Sequence, residues 1–211
     1  QQFNSNKKRY SFTVDQAQEN LQNIRMRIRN KKRNYHYDCL IGLSGGTDSS
    51  YVALLAYQIG LNPLVVHFDN GWNSEIAVAN IKKIVDGYGF DLKTYVINWN
   101  EFKDLQRSFI KASVVDIEIL TDHAITAAMF QLAKKNNIYY ILSGNNFATE
   151  HGMPRTWLWK KYDFQNIKNI HKKYGRLKIK SFPHMNKYKW LFIRKYGLIN
   201  EFIPLLNHIN Y

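Results

Sequence analysis

The chain has 211 residues, a hydrophobic content of 45% and a formal net charge of +14 at pH 7. This composition excludes a disordered chain, and the length suits one good-sized domain with an appendage. No apolar run approaches the roughly 18–20 residues of a membrane span, and no signal-peptide pattern opens the chain. The single cysteine, Cys39, excludes an internal disulfide, so we expect a reducing, cytoplasmic compartment.

The charge is distributed unevenly. Basic residues exceed acidic ones by six in residues 1–40 and by eleven in residues 151–211, whereas residues 41–150 have three more acidic than basic residues. The flanks therefore favour an anionic partner, such as a phosphorylated small molecule, RNA or anionic lipid. The alternative is a set of solvated lysine faces that aid solubility. We predict a helical extension over 1–36, a core over 37–152 and a basic, aromatic-rich helical segment over 153–211.

In chain order, residues 13–33 are predicted to form an amphipathic helix that Thr13 and Gln16 begin with a capping box. An apolar strand over 38–43 follows, with Cys39 as a small core residue. The loop Ser44-Gly45-Gly46-Thr47-Asp48-Ser49 then leads into a helix over 50–59. Backbone N–H groups at a helix start attract anions, and two glycines permit a close approach of the backbone. The alternative is an ordinary glycine-rich turn.

The second strand, over 64–68, ends in Asp69-Asn70-Gly71-Trp72. Ligands of open α/β sheets bind beyond the carboxyl ends of the strands, so we expect Phe68 and Asp69 to line a nucleotide. His67 is either a nucleotide contact or a core histidine, and Trp72 is either a lid residue or a packed aromatic.

A helix capped by Asn73 or Ser74, a strand over 92–97 and a helix over 100–112 follow. Asp122 lies near the start of the next predicted helix, which runs to Lys135. Two interpretations stay open: Asp122 is the N-cap of that helix, or His123 beside it faces the cleft.

The fourth strand, over 138–142, leads into a second small-residue loop that begins at Ser143. Gly144 permits a close approach to ribose or adenine, and Glu150 can supply a second carboxylate to a metal ion. Repeated strand–loop–helix units predict an α/β fold with a twisted, mainly parallel sheet between two helical layers. Further helices are predicted over 163–174 and 188–198, in a basic and aromatic segment suited to a nucleotide-linked substrate or RNA.

Residues 44–49 resemble the pyrophosphate loop of the N-type ATP pyrophosphatases; no Walker A or G-x-G-x-x-G motif is present. The resemblance implies the adenine nucleotide alpha hydrolase-like fold, with ATP and Mg²⁺ as cofactors. It implies catalytic roles for Asp48 and Ser44, and metal ligation by Asp48 and Glu150. The implied nucleotide contacts are Leu43, Ser44, Gly45, Gly46, Thr47, Asp48, Ser49, His67, Phe68, Asp69 and Gly144.

Several stretches together resemble the N-acetyl sugar amidotransferases of lipopolysaccharide and flagellin-glycan biosynthesis. They are residues 37–39, 68–76, 144–146, 170–175 and 180–183. This resemblance implies that ATP activates the acetamido group of a nucleotide-linked sugar, and that ammonia from a separate glutaminase subunit displaces AMP. It implies no nucleic-acid partner, and a chain that is part of a longer protein. The substrate contacts it suggests are Trp72, Asp122, His123, Asn145 and Arg155.

Two other functions remain open. A tRNA-modifying enzyme of the lysidine synthetase type fits the basic flanks, whereas a thiolating enzyme needs reactive cysteines that Cys39 cannot supply. The other is a nucleotide-binding module without catalysis, and Asp48 argues against it because simple binding requires no metal-holding carboxylate.

Overall fold

The computed structural model describes residues 11–32, 36–146, 163–186 and 201–210. Its centre is a five-stranded sheet in which every neighbouring pair is parallel, with the order β3-β2-β1-β4-β5. The strands are β1 (Cys39–Gly42), β2 (Pro63–Asp69), β3 (Asp91–Val96), β4 (Tyr140–Ser143) and β5 (Glu201–Pro204). The predicted parallel α/β sheet is therefore confirmed.

Six α-helices lie in the described residues. They are α1 (Val14–Asn30), α2 (Thr47–Gln58), α3 (Glu75–Tyr88), α4 (Trp99–Lys111), α5 (Ile119–Lys135) and α6 (Phe164–Tyr174), and a 3₁₀ helix spans Leu205–His208. The predicted capping box of Thr13 and Gln16 is formed, and Ser74 caps α3. None of the helices in these ranges is both long enough and apolar enough to cross a membrane.

The alternation of side chains along the strands separates the core into two faces. Cys39 and Ile41 of β1 pack with α1, α2 and the 3₁₀ helix. Leu40, on the opposite face, packs with α5, and the cluster on α4 and α6 continues that layer. The sheet therefore lies between two helical layers, as predicted. Burial raises the pKa of the Cys39 thiol, which is a core residue.

Two expectations need correction. Helix α5 begins at Ile119, and the residue at its N-cap position, Glu118, makes no capping hydrogen bond, so Asp122 is not the N-cap. The C-terminal segment is also not wholly helical, because β5 pairs with β4 at the edge of the sheet. The helix predicted over 188–198 lies outside the described residues.

The last described residues hold the first helix in place. Asn210 accepts a hydrogen bond from the backbone N–H of Phe12 at 2.9 Å, and the amide of Asn20 donates to the carbonyl of His208 at 3.2 Å. Arg27 of α1 forms an ion pair with Glu201 of β5. The buried face of the N-terminal helix, Leu21, Ile24 and Ile28, thus packs into the core cluster that includes β1.

Candidate functional site

A cavity of about 640 Å³ lies at the carboxyl ends of β1, β2 and β4, where α5 forms one of its walls. Parallel α/β sheets place their ligand sites at this edge. Its lining includes seven of the predicted site residues: Leu43, Ser44, His67, Phe68, Asp122, Gly144 and Asn145. Ile125, Thr126 and Met129 continue the α5 wall, and Phe202 and Pro204 of β5 complete another side.

The loop after β1 is organised by its two serines. The Oγ atoms of Ser44 and Ser49 lie 3.0 Å apart, and Ser49 Oγ accepts the backbone N–H of Ser44 at 3.2 Å. The N-cap of α2 is Gly46, which has no side chain that could accept a capping hydrogen bond. The next two helices, α3 and α4, are capped by the side chains of Ser74 and Asn98. The N-cap residue therefore supplies no side-chain acceptor to the first turn of α2, which suits a bound anion, and the Gly46 backbone N–H itself donates to Ser44 Oγ at 3.4 Å.

Gly45 is required by packing as well as by backbone conformation. Its φ is +79°, and a Cβ at this position would lie 2.3 Å from the carbonyl oxygen of Ala77 in α3. The Asn80 side chain donates to the Gly45 carbonyl at 3.2 Å. Helix α3 thus supports the loop from behind, a role of Ala77 and Asn80 that the sequence pattern did not indicate. At Gly46 a Cβ would meet only Ser44 Oγ at 3.4 Å.

The loop after β4 lies directly against the loop after β1. A Cβ on Gly144 would come within 3.2 Å of the Asp48 Cβ and 3.3 Å of the Ser49 backbone nitrogen. The Asn146 amide donates to Asp48 Oδ2 at 3.3 Å. The predicted juxtaposition of the two loops is therefore present, and Asn146 is an additional residue that orients the Asp48 carboxylate.

The residues present are compatible with Mg²⁺. This ion is typically held by one or two carboxylates together with substrate phosphates and water. Asp48 is half-buried at the start of α2, where its Oδ2 accepts a hydrogen bond from the Asn146 amide. Within the described ranges no group of three or more His, Cys, Asp or Glu side chains is arranged to hold a metal ion. Glu150, the second predicted ligand, lies outside those ranges.

The end of β2 contributes to the site only in part. The buried imidazole of His67 contacts the cavity, and its Nδ1 donates to the carbonyl of Leu43 at 3.1 Å, which ties β2 to β1. Phe68 lines the cavity and stacks on Tyr95 with a centroid separation of 5.4 Å. Asp69, by contrast, is not among the lining residues. Its Oδ1 accepts from the Gly71 backbone and the Asn73 amide, both at 2.9 Å, and shapes the turn after β2.

Two of the predicted substrate contacts are placed elsewhere. Trp72 is 67% exposed, makes an edge contact with Trp99 at 5.7 Å and does not line the cavity. His123 is only 1% exposed and lies in the core, where its ring stacks with Phe164 and Phe182.

Two other predicted substrate contacts, Asp122 and Asn145, lie in the lining of the cavity. The backbone N–H of Asn145 donates to Ser143 Oγ at 3.1 Å. Arg155 lies outside the described residues. The structure therefore places the start of the loop after β1, the loop after β4 and Asp122 around the cavity, whereas Asp48, Trp72 and His123 are not among the residues that line it.

Comparison with known proteins finds only distant similarity in sequence and in structure. The chain matches no protein-family model. It is 28% identical over 126 residues to an uncharacterised protein of Methanocaldococcus jannaschii; this match covers 59% of the chain and 44% of the relative. The chain thus spans less than half the length of that curated relative.

Among solved structures, an NH₃-dependent NAD synthetase from Campylobacter jejuni has a TM-score of 0.49 at 15% identity, over 78% of both chains. An NMN synthetase from Francisella tularensis has a TM-score of 0.47 at 15% identity, over 95% of this chain and 92% of that one. A U34-tRNA thiolase from Methanococcus maripaludis has a TM-score of 0.45 at 15% identity, over 86% and 63% of the two chains. TM-scores below 0.5 do not establish a shared function.

Proposed function

We propose that this chain is the ATP-using core of an enzyme that forms AMP and pyrophosphate. The observation that carries the proposal is the contact between the loop after β1 and the loop after β4, at the start of α2 and beside an open cavity. The two loops come from neighbouring parallel strands, and their juxtaposition depends on Gly144. In this proposal the loop after β1 binds the pyrophosphate part of ATP, and the cavity holds the rest of the nucleotide.

The second substrate that we propose is a nucleotide-linked N-acetyl sugar. An amide carbon is a poor electrophile, and its oxygen is a poor leaving group. The amide oxygen attacks the α-phosphorus of ATP, and pyrophosphate leaves. Ammonia then adds to the carbon, the oxygen departs with AMP, and an acetamidino group remains. A separate glutaminase subunit is the proposed source of ammonia, in a pathway that builds surface polysaccharide.

The residues of the site suit the first step in distinct ways. The hydroxyls of Ser44 and Ser49 and the backbone at the start of α2 provide donors to the departing pyrophosphate. Asp48, oriented by Asn146, would hold Mg²⁺, and a bound Mg²⁺ would neutralise charge on the phosphates. Asn145 and Asp122 line the cavity where a polar acceptor substrate must lie.

The test is a product assay. The purified chain is incubated with ATP, Mg²⁺, ammonium chloride and a panel of UDP- and CMP-linked N-acetyl sugars, and the nucleotide products are separated. We expect AMP and pyrophosphate in equal amounts, and only with a sugar that carries an acetamido group. Ammonium chloride replaces the glutaminase. Formation of ADP and phosphate would contradict the proposal.

A tRNA-modifying enzyme of the lysidine synthetase type is the second candidate. It is favoured by the exposed lysines of α6, Lys168, Lys172 and Lys173. A thiolating variant is disfavoured because Cys39 is buried in β1. Bulk tRNA is therefore included in the panel, and pyrophosphate release with tRNA alone would select this candidate.

A further inference from the structure

The segment that follows α6 forms an exposed cationic loop, which we name the basic loop (residues 175–182). Arg176, Lys178 and Lys180 are all exposed, and none of the ion pairs among the described residues includes them. Ile179, between two of these cations, packs instead against the core cluster on α4, α5 and α6. The apolar side chain faces inward and the cations beside it lie at the surface.

The first end of the basic loop is fixed by Asp104 of α4. One carboxylate oxygen, Oδ2, accepts the backbone N–H of Arg176 at 2.8 Å and that of Leu177 at 2.9 Å. The same oxygen accepts from Nε2 of His171 in the last turn of α6, at 2.8 Å. Asp104 is only 8% exposed, so these are buried, charge-assisted hydrogen bonds.

The second end is fixed by Glu101, one helical turn earlier on α4. Glu101 Oε2 accepts the backbone N–H of Ser181 at 2.9 Å and that of Phe182 at 3.1 Å. Glu101 is also 8% exposed. The burial of both carboxylates acts to raise their pKa values, but the hydrogen bonds outweigh it, and the pKa of each group lies below its ordinary value.

In this arrangement the cationic side chains of the loop do not form ion pairs with the carboxylates of α4. Both nearby carboxylates are engaged by backbone N–H groups, so they do not pair with the side-chain cations of the loop. A loop that is held at both ends also loses little conformational freedom when it binds a ligand. The three cations are therefore exposed on a backbone that is already ordered.

The basic loop is attached to the wall of the cavity. Phe182, at its end, stacks with His123 at a centroid separation of 6.2 Å and an interplanar angle of 11°. The backbone N–H of Met185 donates to Nε2 of His123 at 3.3 Å. His123 directly follows Asp122, which lines the cavity. The end of the loop thus packs against α5, the helix that also supplies Asp122 to the cavity.

We propose that the basic loop binds the diphosphate of a nucleoside diphosphate-linked substrate while the substituent of that diphosphate enters the cavity. This inference rests on the proposed function, because it assumes that the cavity accepts the sugar. Three cations within five residues match the compact charge of one diphosphate, and Lys and Arg are the usual ligands of phosphate oxygens. Glu101 and Asp104 act as positioning residues for the loop.

The experiment uses UDP as the probe. A non-hydrolysable ATP analogue is present at a saturating concentration, so that it occupies the loop after β1. The dissociation constant of UDP is measured by calorimetry for the parent chain and for the double variant Lys178→Ala/Lys180→Ala. The matched control is Lys82→Ala/Lys83→Ala, which removes two exposed lysines from α3. We expect the loop variant to weaken UDP binding at least tenfold, and the control variant to change it less than twofold.

Two further measurements separate charge from folding. Lys178→Arg/Lys180→Arg keeps the charge and should restore UDP binding to within threefold of the parent. Glu101→Gln should also weaken UDP binding, while affinity for the ATP analogue stays unchanged. Loss of affinity for both ligands together would indicate general disruption of the fold and would overturn the positioning role of Glu101.

Two outcomes would overturn the assignment of the loop. In the first, UDP binds equally well to the parent and the Lys178/Lys180 variant. In the second, UDP does not bind to the parent chain; a fall in the affinity for a 20-nucleotide RNA in the loop variant would then identify the loop as an RNA surface. If UDP binding depends on the loop but no AMP and pyrophosphate form with any sugar, the proposed reaction is wrong and the loop assignment stands.

Discussion

Gly144 and Asp48 lie against each other, although 96 positions separate them in the chain. A Cβ on Gly144 would sit 3.2 Å from the Asp48 Cβ and 3.3 Å from the Asp48 carbonyl carbon. Two parallel strands, β1 and β4, bring their following loops together at this point. Because a backbone at a helix start cannot easily move aside, the identity of residue 144 controls the spacing of the two loops.

The first prediction concerns Gly144→Ala. The added methyl group would push the loop after β4 away from Asp48, and we expect ATP-dependent pyrophosphate release to fall at least tenfold. The control is Gly87→Ala, in α3, where an added Cβ would meet nothing within 4 Å. That variant should keep full activity and gain about 0.5–1 kcal/mol of stability, because alanine favours the helix. Full activity in Gly144→Ala would contradict the role of this contact.

The second prediction separates the two loop glycines by stability. Gly45→Ala places a methyl group 2.3 Å from the Ala77 carbonyl at a φ of +79°, so we expect the free energy of unfolding to fall. A loss of about 1–3 kcal/mol is typical of overpacking. Gly46→Ala should leave stability nearly unchanged, since its methyl group has room. Denaturant unfolding of both variants gives the comparison, and equal losses would contradict the account.

The third prediction concerns the Asp48 carboxylate. Asp48→Asn keeps the shape of the side chain but removes its negative charge, so we expect pyrophosphate release to fall at least 100-fold. Unfolding should change by less than about 1 kcal/mol, because the side chain is only half-buried and asparagine keeps its shape and can still accept the hydrogen bond from Asn146. Asp86→Asn serves as the control, since that carboxylate is exposed on α3 and has no part in the site. Retained activity in Asp48→Asn would exclude the metal-holding role.

The fourth prediction is an acid-sensitive stability. Hydrogen bonds hold the pKa values of Glu101 and Asp104 below their ordinary values of 4.5 and 3.8. The stabilisation is therefore complete above the ordinary values and is lost as the pH falls towards the lowered values of the folded state. We expect the free energy of unfolding to decrease below about pH 4.5. In Glu101→Gln/Asp104→Asn this decrease should be smaller, and an unchanged slope would contradict the prediction.

The fifth prediction tests the closeness of Gly175 and His171. A Cβ on Gly175 would lie 2.3 Å from the His171 ring and 2.7 Å from the His171 carbonyl oxygen. Gly175→Ala should displace the imidazole from Asp104 and lower the free energy of unfolding by about 1–3 kcal/mol. In the NMR spectrum, the His171 ring signals should shift while those of His36 stay in place. Unchanged His171 signals would show that the ring does not depend on this glycine.

Local patterns in the sequence predicted most of the regular elements. The Thr13–Gln16 capping box, the Ser74 cap and the apolar strands each depend on residues near each other in the chain, and these predictions are confirmed. Strand β5 was not predicted, because a segment of four residues that ends in a proline has neither the length nor the alternating pattern that identifies a strand. Its formation depends on pairing with β4.

The parts of the site that the sequence did not predict depend on distant contacts. Asn80 supports Gly45 from α3, and no local spacing marks such a role. No local pattern indicated the roles of Glu101 and Asp104, because their partners come 67 to 81 residues later. His123 was expected near the cleft, but apolar packing with Phe182 places it in the core.

The hydrogen bond between Phe12 and Asn210 has a practical consequence for engineering. The first and last described segments are neighbours in space, so a chain cut back to residues 11–210 could be closed into a ring by a short peptide. New termini could then be opened in the turn around Gly60, on the opposite side from the cavity edge of β1. In such a permuted chain β4 and β5 would be synthesised before β1. Folding of this chain would show that the sheet does not require its central strand, β1, to be synthesised first.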